Sequence, residues 1–172
     1  MHRLCLFRHA KSDWFAGATG DFDRPISARG KRDAPLVSAN VRANGWQPGR
    51  ILCSPSKRTR QTLDILARYL GSDPDIDFLA ELYDASSADY MAPIRAHGGD
   101  AETLMIIGHN PMIHETALRL AAPGTSQAVA ELDRKYPTCA LAVLEFETGW
   151  ADLTDHSGKL VAFVKPADLR PK

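Results

Sequence analysis

The sequence predicts an α/β protein, a three-layer α/β/α sandwich around a mainly parallel central sheet. Short apolar runs alternate with stretches of helical periodicity along the chain. One run, Thr103 to Ile107 (TLMII), is continuously apolar, as a strand buried on both faces requires. No internal repeat, low-complexity tract or Pro/Gly/Ser-rich linker divides the 172 residues, so one domain over 1–172 is expected.

The first strand is His2 to Phe7 (HRLCLF). Lys11 to Ile26 follows it, polar, aromatic and glycine-containing, in the place where α/β proteins bind ligands. Ser27 caps a helix running to about Asn44, with Gly45 at its C′ position. Arg50 to Cys53 (RILC) is the second strand. Ser56 opens a stronger helix, with Leu63, Leu66, Ala67 and Leu70 on one face and Gly71 after its end. Ala88 to Ala96 and Met112 to Ala121 are shorter helices flanking the Thr103 run. Ala140 to Phe146 (ALAVLEF) and Leu160 to Val164 (LVAFV) complete the strands.

Composition excludes several classes of function. Lys plus Arg is 21 and Asp plus Glu is 21, a balance without the positive footprint of a nucleic-acid or anionic-membrane binder. At 44% hydrophobic and 24% charged, the chain reads as folded rather than disordered. No apolar run approaches the ~18 residues of a membrane helix. The start, MHRLCLFRHAKSDW, lacks a secretory h-region, so a cytoplasmic protein is expected. Cys5, Cys53 and Cys139 form no CxxC pair, lie in strand-like runs and read as small, buried, reduced thiols.

Three strands end in chemically capable residues. The first leads into Arg8-His9, followed by Lys11 and Ser12. The second leads into Cys53-Ser54-Pro55, with Lys57, Arg58 and Arg60 at the next helix start. The third leads into Gly108-His109-Asn110-Pro111. In a parallel sheet these carboxyl ends converge, so two histidines and two or three arginines meet in one crevice. Arginine forks bind phosphate oxygens, and a helix N-terminus beside them adds partial positive charge. An imidazole among cations loses proton affinity, which leaves a ring nitrogen free to attack phosphorus. A second histidine can donate to the equatorial oxygens. This chemistry needs no metal and no cofactor.

Arg8-His9-Ala10-Lys11-Ser12, Asp23-Arg24-Pro25 before Gly30, Ser54-Pro55-Ser56-Lys57-Arg58 with Gln61-Thr62, Glu81-Leu82-Tyr83 and Gly108-His109-Asn110-Pro111 resemble the histidine phosphatase superfamily. Within that phosphoglycerate mutase-like group they are most similar to the short bacterial SixA-type phosphohistidine phosphatases. The resemblance runs from residue 2 to about 146. It implies that His9 is the phosphorylated nucleophile and that Arg8, Arg58 and His109 hold the phosphoryl oxygens. It implies an edge role for Arg24 and substrate contact for Ser12 or Lys11. Glu81 falls where many members carry the acid that protonates the leaving group; SixA-type members can lack it, and Glu81 reads equally as an exposed carboxylate at a strand end. The family's glycine after the histidine is Ala10 here, which fits if its φ is negative.

Other readings of these residues are weaker. His2, His97, His114 and His156 read as surface or satisfied histidines. Arg32, Lys57 and Arg60 read as solvated helix faces. His109 and His114 are five apart, not a helical zinc pair, and no HExxH occurs. No cysteine is followed six residues later by arginine, as a cysteine phosphatase needs. Asp21-Phe22-Asp23 superficially resembles an aspartyl-phosphate loop but follows no buried strand. There is no GxxxxGK[ST] loop and no GxSxG elbow.

The expected activity is therefore a metal-independent phosphatase. A chain this short leaves little for a lid, and an open pocket suits a phosphorylated protein side chain such as phosphohistidine. The alternatives are a phosphomonoesterase acting on a small phosphorylated metabolite, and a phosphate-binding module without turnover. Trp14, Phe15 and Phe22 read either as a docking surface or as a buried loop anchor.

Overall fold

A computed structural model describes residues 1–14, 17–84 and 87–172. Among these, six strands form one sheet: β1 (His2–Arg8), β2 (Arg50–Cys53), β3 (Asp75–Phe78), β4 (Thr103–Gly108), β5 (Leu141–Phe146) and β6 (Lys159–Val164), in the order β3-β2-β4-β1-β5-β6. The pairs β2–β3, β2–β4 and β1–β4 are parallel. β5 runs antiparallel to both β1 and β6. The sheet is mainly parallel, as expected, with one reversed strand.

Helices cover both faces: α1 (Ala28–Ala43), α2 (Lys57–Ala67), α3 (Met91–His97), α4 (Met112–Leu120), α5 (Gln127–Arg134) and α6 (Pro166–Leu169). The period-2 alternation of the strands divides the core. Leu4, Leu6, Leu104, Ile106 and Leu144 face one side, against Ile94 of α3, Ile113 and Leu120 of α4 and Leu132 of α5. Cys5, Phe7, Ile51, Met105, Ile107 and Val143 face the other, against Val37 and Val41 of α1, Leu63 and Leu66 of α2 and Leu169 of α6. The result is the three-layer α/β/α arrangement.

Local signals act largely as expected. Ser27 Oγ accepts from Gly30 N at 3.2 Å, and Gly45 has φ +71° after α1. Ser56 stands at the start of α2, but its hydroxyl meets Thr59 Oγ1 at 2.6 Å instead of capping the helix. α2 ends at Ala67, short of the expected Leu70, and α3 begins at Met91 instead of Ala88. β3, α5 and α6 were not anticipated. β3 (DIDF) is an edge strand with three of its four residues exposed, and its alternating charge hides it from a search for apolar runs. Cys139 lies in the turn before β5 with φ +65°, not in a strand, although it is fully buried. Cys5 and Cys53 are also buried, and none of the three is disulfide-bonded. Among the described residues, no helix is long and apolar enough to cross a membrane.

The C-terminal segment is tied back through a buried carboxylate. Asp33 of α1 is 1% exposed and receives Arg170 Nε at 2.9 Å and Nη2 at 2.7 Å. Asp33→Ala removes a two-pronged, charge-assisted contact while Arg170 regains water on its exposed side. A loss of about 2 kcal/mol is expected, read as a lower melting temperature.

Candidate active site

β4 lies between β1 and β2, so three parallel strands end side by side. They bring together His9, Ser54 and His109. The His9 and His109 rings lie 5.2 Å apart, centroid to centroid. Arg58, in the first turn of α2, places Nη2 3.3 Å from His109 Nδ1. Arg8 Nη1 donates to the Tyr136 carbonyl at 2.8 Å, and Asn110 Nδ2 donates to the same oxygen at 3.0 Å.

His9 is fixed by its ring and by its backbone. Its Nδ1 lies 2.7 Å from the Ala10 carbonyl oxygen, which can only accept. Nδ1 therefore carries the proton and Nε2 keeps its lone pair. The backbone N of His9 donates to Gly108 O at 3.1 Å, and its carbonyl accepts from Cys139 N at 2.9 Å. Ala10 is fully buried with negative φ, and its N donates to Thr62 Oγ1 at 3.0 Å. The methyl in place of the family's glycine is thus accommodated.

His109 is held as firmly. Its backbone N donates to the Tyr90 hydroxyl at 3.0 Å, which donates to Leu82 O at 2.7 Å. Glycine at 108 permits this approach, because a Cβ there would lie 2.7 Å from the Tyr90 ring. His109 Nε2 sits 2.8 Å from Ser54 Oγ. Arg58 can only donate, so in this state Nδ1 accepts and Nε2 donates to Ser54. If Ser54 donates instead, Nδ1 gains a proton to offer an oxyanion.

Burial above all, then the neighbouring cations, shapes the electrostatics. Burial lowers His9 well below 6.5, and His109, Arg58 and Arg8 add to this against the opposing bond to Ala10. Burial and then Arg58 bring His109 down to about 3. Both rings are therefore neutral at neutral pH. The guanidinium groups carry more donors than the protein satisfies: Nε of Arg8 and Nε of Arg58 are buried without an acceptor among the described residues. Such a surplus of N–H groups suits an oxyanion.

An acidic residue also enters the cluster. Asp21 Oδ2 accepts from Arg58 Nη2 at 3.1 Å and from the Tyr83 hydroxyl at 2.8 Å. Its Oδ1 accepts from Arg24 Nε at 3.0 Å, with Arg24 Nη2 at 2.9 Å, and its carbonyl accepts from Arg58 Nη1 at 2.8 Å. Burial by itself raises this carboxyl, but the bonds from Tyr83, Arg24 and Arg58 outweigh it and hold Asp21 at about 2. In the sequence Asp21 stands out only within the Asp21-Phe22-Asp23 run that superficially resembles an aspartyl-phosphate loop. Its spacing of three from Arg24 was the available signal for an ion pair.

Residues 4–91 match the model of the histidine phosphatase superfamily (branch 1). The chain belongs to this superfamily. An uncharacterized Mycobacterium tuberculosis protein is 37% identical over 161 residues, covering 92% of this chain and 99% of that one. A structure assigned as phosphohistidine phosphatase SixA from Agrobacterium tumefaciens is 30% identical with TM-score 0.78, covering 96% and 98% of the two chains. Another so assigned, from Nakamurella multipartitia, is 30% identical with TM-score 0.82 over 96% of each chain.

Within this histidine phosphatase, the other expected site residues are distributed unevenly. Arg24, 7% exposed, donates from Nη1 to Ser12 Oγ at 2.6 Å and lies 3.4 Å from the centroid of the Trp14 ring. Lys11 contributes its carbonyl, which accepts from Ser27 N at 2.7 Å. Glu81 is exposed and paired with His97, Oε1 to Nε2 at 3.0 Å. Trp14 and Phe22 are exposed, at 66% and 38%, so neither is a buried anchor; Phe15 lies outside the described residues. His9, Arg58 and His109 are each 6% exposed, a narrower opening than the short chain led one to expect, because Asp21 leans onto Arg58. His2 packs edge-on to Trp150, and His114 Nε2 bonds to the Leu132 carbonyl at 2.6 Å.

The pKa directions make a prediction. Unfolded histidine binds its proton below about 6.5, whereas folded His9 and His109 stay neutral well below that. The unfolded state thus takes up more protons, and stability declines as pH falls below about 6.5. In a ¹⁵N NMR titration of the folded protein, His9 holds the Nδ1-protonated neutral form well below pH 6.5. A His9 midpoint near 6.5 would contradict this electrostatic picture.

Proposed function

We propose that this chain is a protein phosphohistidine phosphatase of the SixA type, acting on a phosphorylated histidine side chain of a partner protein. The observation that carries the reading is His9: its Nδ1 is committed to Ala10, leaving a neutral Nε2 lone pair in a site furnished with arginine. Likeness at 30% identity to two structures assigned as SixA supports the substrate class. The three buried, unbridged cysteines fit a cytoplasmic protein.

In this mechanism His9 Nε2 attacks phosphorus, and the bond to the leaving group breaks with its electron pair on the departing atom. Arg8, Arg58 and the Nδ1–H of His109 take up the charge on the phosphoryl oxygens, while Arg24, Ser12 and Lys11 line the edge. Water then attacks the phosphohistidine, releasing phosphate and restoring His9. The guanidinium charges perform the task that metal ions perform in other phosphatases.

Glu81 decides between leaving groups. An alkoxide needs a proton as it departs, whereas a phosphohistidine already protonated on its other nitrogen releases neutral imidazole. With Glu81 on His97, the site favours the second kind. Glu81→Gln is therefore expected to change kcat/KM for a phosphohistidine peptide by less than about threefold, far below the usual loss of a general acid. The reading as a whole is tested by phosphate release, with EDTA present, from a phosphohistidine peptide beside the matching phosphoserine peptide. Preference for phosphohistidine supports it, and preference for phosphoserine would overturn it in favour of a phosphomonoesterase.

A further inference from the structure

Asp21 has no place among groups that hold a phosphoryl anion, because its own charge opposes that anion. It can serve the other half of the substrate. Its side chain is 46% exposed, against 7% for Arg58, so it stands where the cationic cluster meets solvent. Two rings stand with it. Tyr83, whose hydroxyl bonds Asp21, is edge-on to His109 with centroids 5.6 Å apart, and Phe22 is edge-on to Tyr83 at 5.0 Å.

Building on the phosphohistidine reading, we infer that Asp21, Tyr83 and Phe22 form the leaving-group subsite, which accepts a flat protonated nitrogen base, the imidazolium of phosphohistidine, and rejects leaving groups bearing a carboxylate. A phosphohistidine carries phosphorus on one ring nitrogen and a proton on the other. When His9 Nε2 bonds to phosphorus, the P–N pair stays on the departing nitrogen and the ring leaves as neutral imidazole. A fixed carboxylate favours the protonated ring before departure, and aromatic walls suit a flat cation.

The bonding of Asp21 allows for this. Four donor contacts occupy its two oxygens: Arg24 Nε and Nη2 on Oδ1, Arg58 Nη2 and Tyr83 on Oδ2. That matches the roughly four acceptor positions of a carboxylate. When the fork of Arg58 turns to phosphoryl oxygens, Oδ2 loses a donor and the ring N–H replaces it. A phosphate ester whose leaving group bears a carboxylate meets like charge at the same point.

The experiment measures kcat/KM for a phosphohistidine peptide and the inhibition constant of 3-phosphoglycerate, for wild type, Asp21→Asn and Phe22→Ala. Asp21→Asn is expected to lower kcat/KM for the peptide about tenfold and to tighten 3-phosphoglycerate about tenfold, since one charge changes sign of effect between the two. Phe22→Ala, at an exposed position, lowers kcat/KM for the peptide about threefold more than it weakens 3-phosphoglycerate. If both ligands lose the same factor in Asp21→Asn, Asp21 only braces Arg58 and the subsite is overturned. If that variant does not fold, an equal loss for both ligands in Phe22→Ala overturns it. A wild type inactive on the peptide overturns the proposed function and the subsite with it; an active wild type with equal losses overturns the subsite alone.

Discussion

His9→Ala is expected to lose turnover by on the order of 10,000-fold or more, because the covalent route disappears with the nucleophile. The fold should survive the change, since His9 is held mainly through backbone bonds to Gly108 and Cys139 that alanine also makes. Binding should survive too: Arg8, Arg58 and His109 remain, so the variant still takes up phosphate or a slow substrate. Turnover of an aryl phosphate and of a phosphohistidine peptide, each with EDTA present, provides the check. Loss of turnover with retained binding separates a catalyst from a module that only captures phosphate. A His9→Ala protein within about tenfold of wild type would contradict nucleophilic catalysis at this residue.

Arg58→Ala should be the next most damaging change. Arg58 touches His109 Nδ1, the Asp21 carboxylate and the Asp21 carbonyl, so its loss removes a cation and releases the loop leaning on it. Its charge serves both bound substrate and transition state, and more strongly the latter as charge gathers on the equatorial oxygens. A fall of about 100- to 1,000-fold in kcat/KM is expected, with kcat and KM both worsening. Arg58→Lys should recover only part of it, since one ammonium cannot span His109 and Asp21 as the fork does. Unchanged kcat with a raised KM would instead mean that Arg58 binds substrate and transition state equally.

Much of this arrangement was legible in the sequence because its parts obey local rules. Short strand-like runs marked β1, β2 and β4, and residues at their ends had to converge once the sheet was parallel. Parallel strand ends bring His9, Arg58 and His109 together across roughly fifty residues of sequence at a time. What depends on loops packing back has no such local mark. Tyr136 follows α5, yet its carbonyl holds both Arg8 and Asn110. Cys139 looked like a strand hydrophobe, but its N–H in a left-handed turn anchors the carbonyl of His9. Asp21 and Tyr83 are 62 residues apart and meet only because a surface loop folds over Arg58. Glu81 shows the converse: its position fits an acid and an exposed carboxylate equally, and only the fold shows that its side chain pairs with His97. Direction of a side chain is set by tertiary neighbours, and spacing along the chain does not encode it.

The central claim is a phosphoryl group carried on His9 Nε2. Rapid quenching of the enzyme during turnover of excess substrate, followed by digestion and mass spectrometry under alkaline conditions, tests it most directly. One acid-labile phosphoryl group on the peptide containing His9 is the predicted result. A phosphoryl group on any other side chain, or full turnover with none on His9 at any quench time, would contradict it.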